Sequence, residues 1–342
     1  MNNSGRILVF GATGYVGRYL CCRMKELGLN FLALGRSEKV SAFFQENGIP
    51  FQRFDMCGTE RIEDVIPVTR DDVIVNLAAC LAEHETPVER FFDVNTIGTY
   101  RLLEFARRVG IRRYVMTTSH KVYNDVDVPP GTAISEDVRL RYRGDHTPYI
   151  ISKVAAENFV EYYNRDFELE GICLRLTGVH GYGEVLGHLD SNGHYKKSTF
   201  EIFFEKALRG EQIEVWGDQS IKRDHVYIKD VLSAILAAVN ADAGVKGIFN
   251  IASGVGYSQY EEACILAEVF STGTVSKVVC CPEKPGLTHG YVYDITRACS
   301  NLGWKPAFAD LRAAYVDYRK EWQDKKFHHY HRIISDEAPL TV

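Results

Sequence analysis

The chain of 342 residues is 46% hydrophobic, 25% charged and 12% aromatic, with 40 Lys and Arg against 45 Asp and Glu. That composition excludes disordered, collagen-like and low-complexity classes, and the length suffices for one large domain or two modest ones with a sizeable core. A formal charge of −5 gives no general attraction for nucleic acid or an anionic membrane, so neither is expected as a partner.

The N-terminus, MNNSGRILVFGATG, holds an apolar run of four residues before glycine, which reads as a strand and not as a signal peptide. Val16, Leu20, Met24 and Leu27 then recur at helical spacing. Further apolar runs follow at Phe31–Leu34, Val73–Leu77, Tyr114–Thr117 and Ile172–Leu174, separated by helical patterns, notably Thr96–Val109 and Tyr149–Glu168. Strands apolar throughout and alternating with helices predict a doubly wound parallel α/β sheet covered on both faces. Beyond residue 176 the regularity fades. Residues 178–198, with five glycines and three histidines, read as a long loop. A helix at Thr199–Arg209, a strand near Glu214–Trp216, a helix over Asp230–Val239, a strand Ile248–Ile251 and a helix Tyr260–Phe270 are expected after it.

The nine cysteines stand at 21, 22, 57, 80, 173, 264, 280, 281 and 299, without a CxxC pair. They read as free thiols of a reducing compartment, and no run of eighteen apolar residues occurs. A cytoplasmic protein is expected. The His-rich end, residues 326–342, reads as a polar surface tail, and no metal site is expected.

Gly11-Ala12-Thr13-Gly14-Tyr15-Val16-Gly17 lies between the first strand and the first helix, where a dinucleotide pyrophosphate rests on a helix N-terminus. The second strand ends in Leu34-Gly35-Arg36-Ser37, with no acid to hold ribose hydroxyls. An arginine there suits a 2′-phosphate, favouring NADP over NAD, unless Arg36 only faces solvent. Tyr149 and Lys153, four apart, share a helix face. A nearby ammonium is expected to lower the tyrosine pKa and make a general base of it.

These motifs resemble the extended short-chain dehydrogenase/reductase family, and the later half resembles its nucleotide-sugar epimerase/dehydratase branch. The likeness rests on the glycine motif, Asn76-Leu77-Ala78-Ala79, Asn95-Thr96-Ile97-Gly98-Thr99, Thr118-Ser119-His120-Lys121-Val122-Tyr123 and Tyr149-Ile150-Ile151-Ser152-Lys153. Trp216-Gly217-Asp218, Arg223–Val231, Phe249–Gly254 and Leu302–Pro306 continue it, so that it runs from about residue 6 to 320. The resemblance implies a Rossmann domain over 1–176, with a return segment near 225–252. It implies a smaller C-terminal α/β substrate domain over 177–224 and 253–325.

Carried over by position, the resemblance makes Ser119, Tyr149 and Lys153 catalytic. Gly11, Thr13, Gly14, Tyr15, Val16, Gly17, Arg36, Asp55, Met56, Leu77, Ala78, Ala79, Asn95 and Thr117 would line the cofactor, together with Tyr149 and Lys153. Ser119, His120, Lys121, Gly178, Lys196, Lys197, Trp216 and Arg223 would face a nucleotide diphosphate sugar, Arg223 neutralising the diphosphate. A homodimer through the helices at Thr96–Val109 and Tyr149–Glu168 is implied as well.

Departures narrow the reaction. The family's dehydratases carry Asp-Glu immediately after the Ser/Thr, where this chain has His120 and Lys121, so 4,6-dehydration is not expected. Lys121 is either a second acid/base or a lysine facing solvent or phosphate, and Lys196 and Lys197 either grip phosphate or sit in an exposed loop. The family's Arg-x-x-Asn-Val-Tyr-Gly segment reads Arg175-Leu-Thr-Gly178-Val-His180-Gly181, which removes a usual substrate contact. The expectation is an epimerase acting through a 4-keto sugar, with an NADPH-dependent 4-ketoreductase as alternative; a cofactor-sensing scaffold would not need the Tyr/Lys pair.

Overall fold

The computed structural model describes residues 5–38, 40–81, 86–129, 131–144, 146–183, 188–189 and 194–325. The expected polar tail lies outside them. In chain order the first half runs β1 (Ile7–Phe10), α1 (Tyr15–Glu26), β2 (Phe31–Gly35), α2 (Ser41–Glu46), β3 (Phe51–Arg53), α3 (Ile62–Val65) and β4 (Val73–Asn76). There follow α4 (Val88–Phe91), a π-helical turn (Phe92–Ile97), α5 (Gly98–Val109), β5 (Arg113–Ser119), α6 (Pro148–Asp166) and β6 (Glu170–Leu176). The second half holds β7 (Gly178–His180), β8 (His188–Leu189), β9 (Tyr195–Lys196), α7 (Thr199–Arg209), β10 (Ile213–Trp216), β11 (Lys222–Tyr227) and α8 (Ile228–Val239). It ends with β12 (Gly247–Ile251), β13 (Gly256–Ser258), α9 (Gln259–Phe270), β14 (Val278–Cys281), α10 (Thr296–Leu302) and α11 (Leu311–Gln323).

Seven strands form one parallel sheet in the order β12-β6-β5-β4-β1-β2-β3. Every residue of β1, β4 and β6 is buried, because both faces are covered. Ile7 and Val9 join the layer of α1 and α8, with Leu20, Met24, Val231 and Ile235. Leu8 and Phe10 join the layer of α5 and α6, with Leu102, Phe105, Val160 and Tyr163. Strand order reverses between β1 and β4, and open α/β sheets take their ligands beyond the carboxyl ends at such a point.

Smaller sheets follow the break in periodicity: β13-β11-β7, β10-β14 and β8-β9. Residues 178–198 are therefore not one continuous loop. Gly178, Val179 and His180 pair with His225, Val226 and Tyr227, a partner too distant in sequence to leave a local signature. The π-helical turn precedes α5, so the regular helix starts at Gly98 instead of Thr96. Helix α11 ties the halves together. Its Glu321 accepts a hydrogen bond from Tyr19 (2.8 Å), and Asp317 accepts from Tyr227 (2.6 Å) and pairs with Lys229 (2.6 Å). Among the described residues no helix is long and apolar enough to cross a membrane.

Candidate active site

Beyond β1 the chain turns through Gly11 at φ +77°, a conformation L side chains rarely adopt. A Cβ there would lie 2.4 Å from the Ala78 backbone nitrogen, so glycine lets this turn pack against the Leu77–Ala79 segment after β4. Gly17 is as constrained, its Cβ position being 2.6 Å from Ala12 backbone atoms. Gly14 precedes α1 in extended conformation with no side-chain cap, and a Cβ on it would meet only the Gly11 carbonyl, at 3.4 Å. The first-turn N–H groups thus face an open cradle with no capping side chain. That is the geometry a dinucleotide pyrophosphate needs. Thr13 packs on Gly35 at the end of β2, and Arg18 Nη1 donates to the Thr13 carbonyl (2.8 Å). Tyr15 and Val16, in the first turn of α1, are half-buried.

Arg36 is exposed at the end of β2, with no ion-pair partner among the described residues. Asp55 is exposed after β3, its Oδ1 accepting from the Cys57 amide (2.9 Å), and Arg101 donates to the Met56 carbonyl (3.1 Å). Asn76 Oδ1 accepts from the Ala78 amide (3.1 Å). Buried Asn95, in the π-helical turn, accepts from the Cys80 amide (2.8 Å) and donates to Ser152 Oγ (3.0 Å). It braces the Leu77–Ala79 segment, through Cys80, against α6, and π-helical turns favour functional positions of this kind.

Thr147 caps α6, its hydroxyl accepting from the Ile150 amide, with Pro148 at the first helical position. One turn apart on this helix stand Tyr149 and Lys153. The Ser119 hydroxyl is a side-chain neighbour of the Tyr149 phenol, and Ser119 is buried at the end of β5. Buried Lys153 donates from Nζ to the Thr117 carbonyl (3.2 Å). The phenol of Tyr149 is pushed up by burial, with the Ser119 side chain acting in the opposite direction. This corrects the lowering expected from Lys153: the ammonium is turned to the Thr117 carbonyl, and burial sets the direction of the shift. Burial pushes Lys153 itself down to about 8, with Glu157 opposing. One turn further along α6, Glu157 forms a bidentate pair with Arg175 of β6 (3.0 and 2.6 Å), both 3% exposed. Arg175 also donates to the Tyr123 hydroxyl (2.7 Å), which donates to Asn250 Oδ1 (2.7 Å).

On the substrate side, His120 Nδ1 lies 2.8 Å from the Tyr293 hydroxyl, and burial pushes the imidazole down to about 4. Lys121 is exposed, its amide donating to Ser119 Oγ (3.2 Å). A Cβ on Gly178 would lie 2.8 Å from His225 Nδ1, so that imidazole fills the space above the glycine. Arg223 is 3.5 Å from Glu262, which also accepts from Tyr315 (2.8 Å). Lys197 is paired with Glu205 (2.6 Å), and Lys284 Nζ lies 5.0 Å from the ring centroid of half-exposed Trp216. Lys196 is exposed in β9. Ser119, Tyr149, Lys153, Thr117 and His120 thus converge, whereas Lys197 and Trp216 are engaged by neighbours outside this cluster. Sequence reasoning missed Tyr293 and His225, which no local spacing marks, and Glu157, which the i+4 step from Lys153 could have signalled.

Residues 7–252 match the model of the NAD dependent epimerase/dehydratase family. The chain belongs to that family. It is an enzyme of the extended short-chain dehydrogenase/reductase type, a group of NAD-dependent nucleotide-sugar epimerases, dehydratases and reductases. A UDP-glucose 4-epimerase of Mycolicibacterium smegmatis is 30% identical over 312 residues, covering 89% of this chain and 94% of that protein. Two solved structures share the family fold. UDP-glucose 4-epimerase of Thermotoga maritima with UDP-glucose has a TM-score of 0.72 at 24% identity, over 94% of this chain and 99% of the other. UDP-glucuronic acid 4-epimerase of Bacillus cereus in complex with NAD has a TM-score of 0.71 at 18% identity, over 93% and 99%.

Proposed function

We propose that this family member is a nucleotide-sugar epimerase acting through a transient 4-keto sugar, with Tyr149 as base and then acid. The observation that carries the reading is the placing of Ser119 beside Tyr149, with buried Lys153 one turn along α6 anchored to Thr117, and His120 and Lys121 where a dehydratase needs carboxylates. The nicotinamide supplies the acceptor and donor of hydride and, when oxidised, a positive charge that favours the phenolate. Gly11, Gly14 and Gly17 admit its pyrophosphate, and Lys153 holds the nicotinamide ribose. Ser119 orients the C4 hydroxyl, Tyr149 removes its proton, and after the keto sugar turns over Tyr149 returns the proton on the new configuration. Arg223 meets the diphosphate once released from Glu262.

In this reading residues 1–176, with a return near 225–252, carry the cofactor, and 177–224 with 253–325 carry the substrate. Arg36 selects NADP over NAD. Ile97 and Tyr100 before and on α5, with Ile151 and Tyr162 on α6, are exposed apolar side chains suited to a homodimer contact. The cysteines of the described structure are all free, which suits the cytoplasm. The exposed Arg36 also favours a second reading, an NADPH-consuming 4-ketoreductase.

Denaturing the purified protein and identifying the released nucleotide separates the two. Stoichiometric oxidised cofactor supports the epimerase, and an empty site that takes up NADPH supports the reductase. Tyr149→Phe should bind cofactor normally and lose nearly all turnover; retained turnover would reject both.

A further inference from the structure

We propose that His120 is a neutral hydrogen-bond donor to the sugar through Nε2–H, and that Tyr293 is the positioning residue that fixes this tautomer. The inference rests on the reading of Ser119 and Tyr149 as the pair that engages the reacting hydroxyl, and it assigns the next residue in the chain to a neighbouring sugar oxygen.

The argument starts from Tyr293. Its side chain is 3% exposed, so its O–H must donate to a protein acceptor or stand unsatisfied. Among the described residues its one hydrogen-bonding side-chain partner is His120 Nδ1, at 2.8 Å. The phenol therefore donates and Nδ1 accepts. A neutral imidazole that accepts at Nδ1 carries its proton on Nε2. Burial disfavours the doubly protonated ring, whose value falls to about 4, and the nearby Lys121 acts in the same direction.

Tyr293 is not free to adapt. Its amide donates to Asp224 Oδ2 (3.3 Å), and its strand-like segment is pinned by Ile134 N to Val292 O (2.8 Å) and Asp294 N to Ile134 O (2.9 Å). Its ring lies against Tyr123 and edge-on to His120. The imidazole is thus held from behind, with Nε2 across the ring from Tyr293 and no hydrogen-bond partner for it among the described residues. A donor without charge, beside Ser119, recognises a hydroxyl or carbonyl oxygen. It is a poor proton source for expelling water, in keeping with an enzyme that keeps its sugar oxygens.

The test uses the enzyme loaded with NADP and labelled with 15N-histidine, and UDP-glucose as probe. The resonances lost in His120→Gln should show the Nε2–H tautomer in the unsubstituted protein, and Tyr293→Phe should convert them to a tautomer mixture. His120→Asn and His120→Ala should weaken UDP-glucose binding about three- to tenfold, the value of one hydrogen bond. His120→Gln, whose amide reaches the Nε2 position, should restore it. An Nδ1–H tautomer, equal binding by His120→Ala, or rescue by Asn and not by Gln overturns the proposal while leaving the Tyr149 reading standing. Failure of the unsubstituted enzyme to bind UDP-glucose overturns the sugar contact; retained turnover in Tyr149→Phe is what rejects the functional reading itself.

Discussion

The cofactor crevice and the substrate side are built on opposite plans. Around the crevice, the close approaches join backbone to backbone or a short side chain to backbone: Gly11 on Ala78, Gly17 on Ala12, Thr13 on Gly35, Asn95 on Cys80. On the substrate side, side chains distant in sequence meet in pairs, His120 with Tyr293 and Arg223 with Glu262, and the His225 imidazole stands over the Gly178 backbone. A backbone-made site tolerates few residue types at each of its positions. A pair-made site can change both partners together, which leaves the substrate side more room to vary.

That contrast can be broken or sharpened by substitution. Arg175→Ala leaves Glu157 charged and buried beneath the reacting residues, and should lower stability by about 3–5 kcal/mol in denaturant titration; a loss under 1 kcal/mol would mean the pair is not a fixed floor. Gly178→Asn restores the residue common in the family but drives a side chain into the His225 ring. It should destabilise by about 1–3 kcal/mol, and His225→Ala in the same chain should relieve most of that. If the two substitutions prove additive, His225 does not own the space above residue 178.

His180 offers a milder test. Burial pushes its imidazole down to about 3, with the nearby His225 adding to the fall and the Val226 backbone opposing it. The unfolded state, with an ordinary pKa, then binds a proton that the folded state does not, so this residue lowers stability as pH falls below about 6.5. At pH 5.5 the difference is about 1 kcal/mol, and His180→Phe should flatten the fall in thermal midpoint between pH 7 and 5.5. An unchanged slope would assign the acid sensitivity elsewhere. Smallest of all, Arg223→Ala should cost under about 1 kcal/mol of stability, since its ion pair is partly exposed, yet raise KM for a nucleotide sugar. A change in kcat alone would remove Arg223 from the diphosphate.

The same contrast explains what was legible in the sequence. The parallel sheet, the glycine turn and the Tyr149–Lys153 step are set by short-range spacing and apolar runs, and the structure has them in place. The direction of the Tyr149 shift was not legible, because desolvation depends on everything packed around the ring and not on the lysine four residues away. Strand β7 was hidden within a glycine-rich stretch because its hydrogen bonds go to residues 225–227. Tyr293 sits 173 residues from His120, beyond the reach of any motif.

The place of β12 at the edge of the seven-stranded sheet, and of α11 across its two halves, also bears on synthesis. As the chain leaves the ribosome, β6 must wait some seventy residues for its neighbour β12, and the Tyr19–Glu321 bond closes over 302 residues. The nascent first half therefore emerges with an unpaired apolar strand edge, the kind of surface that chaperones shield. Assembly finishes only after α11 emerges, when a helix near one end of the described chain locks to the first helix at the other.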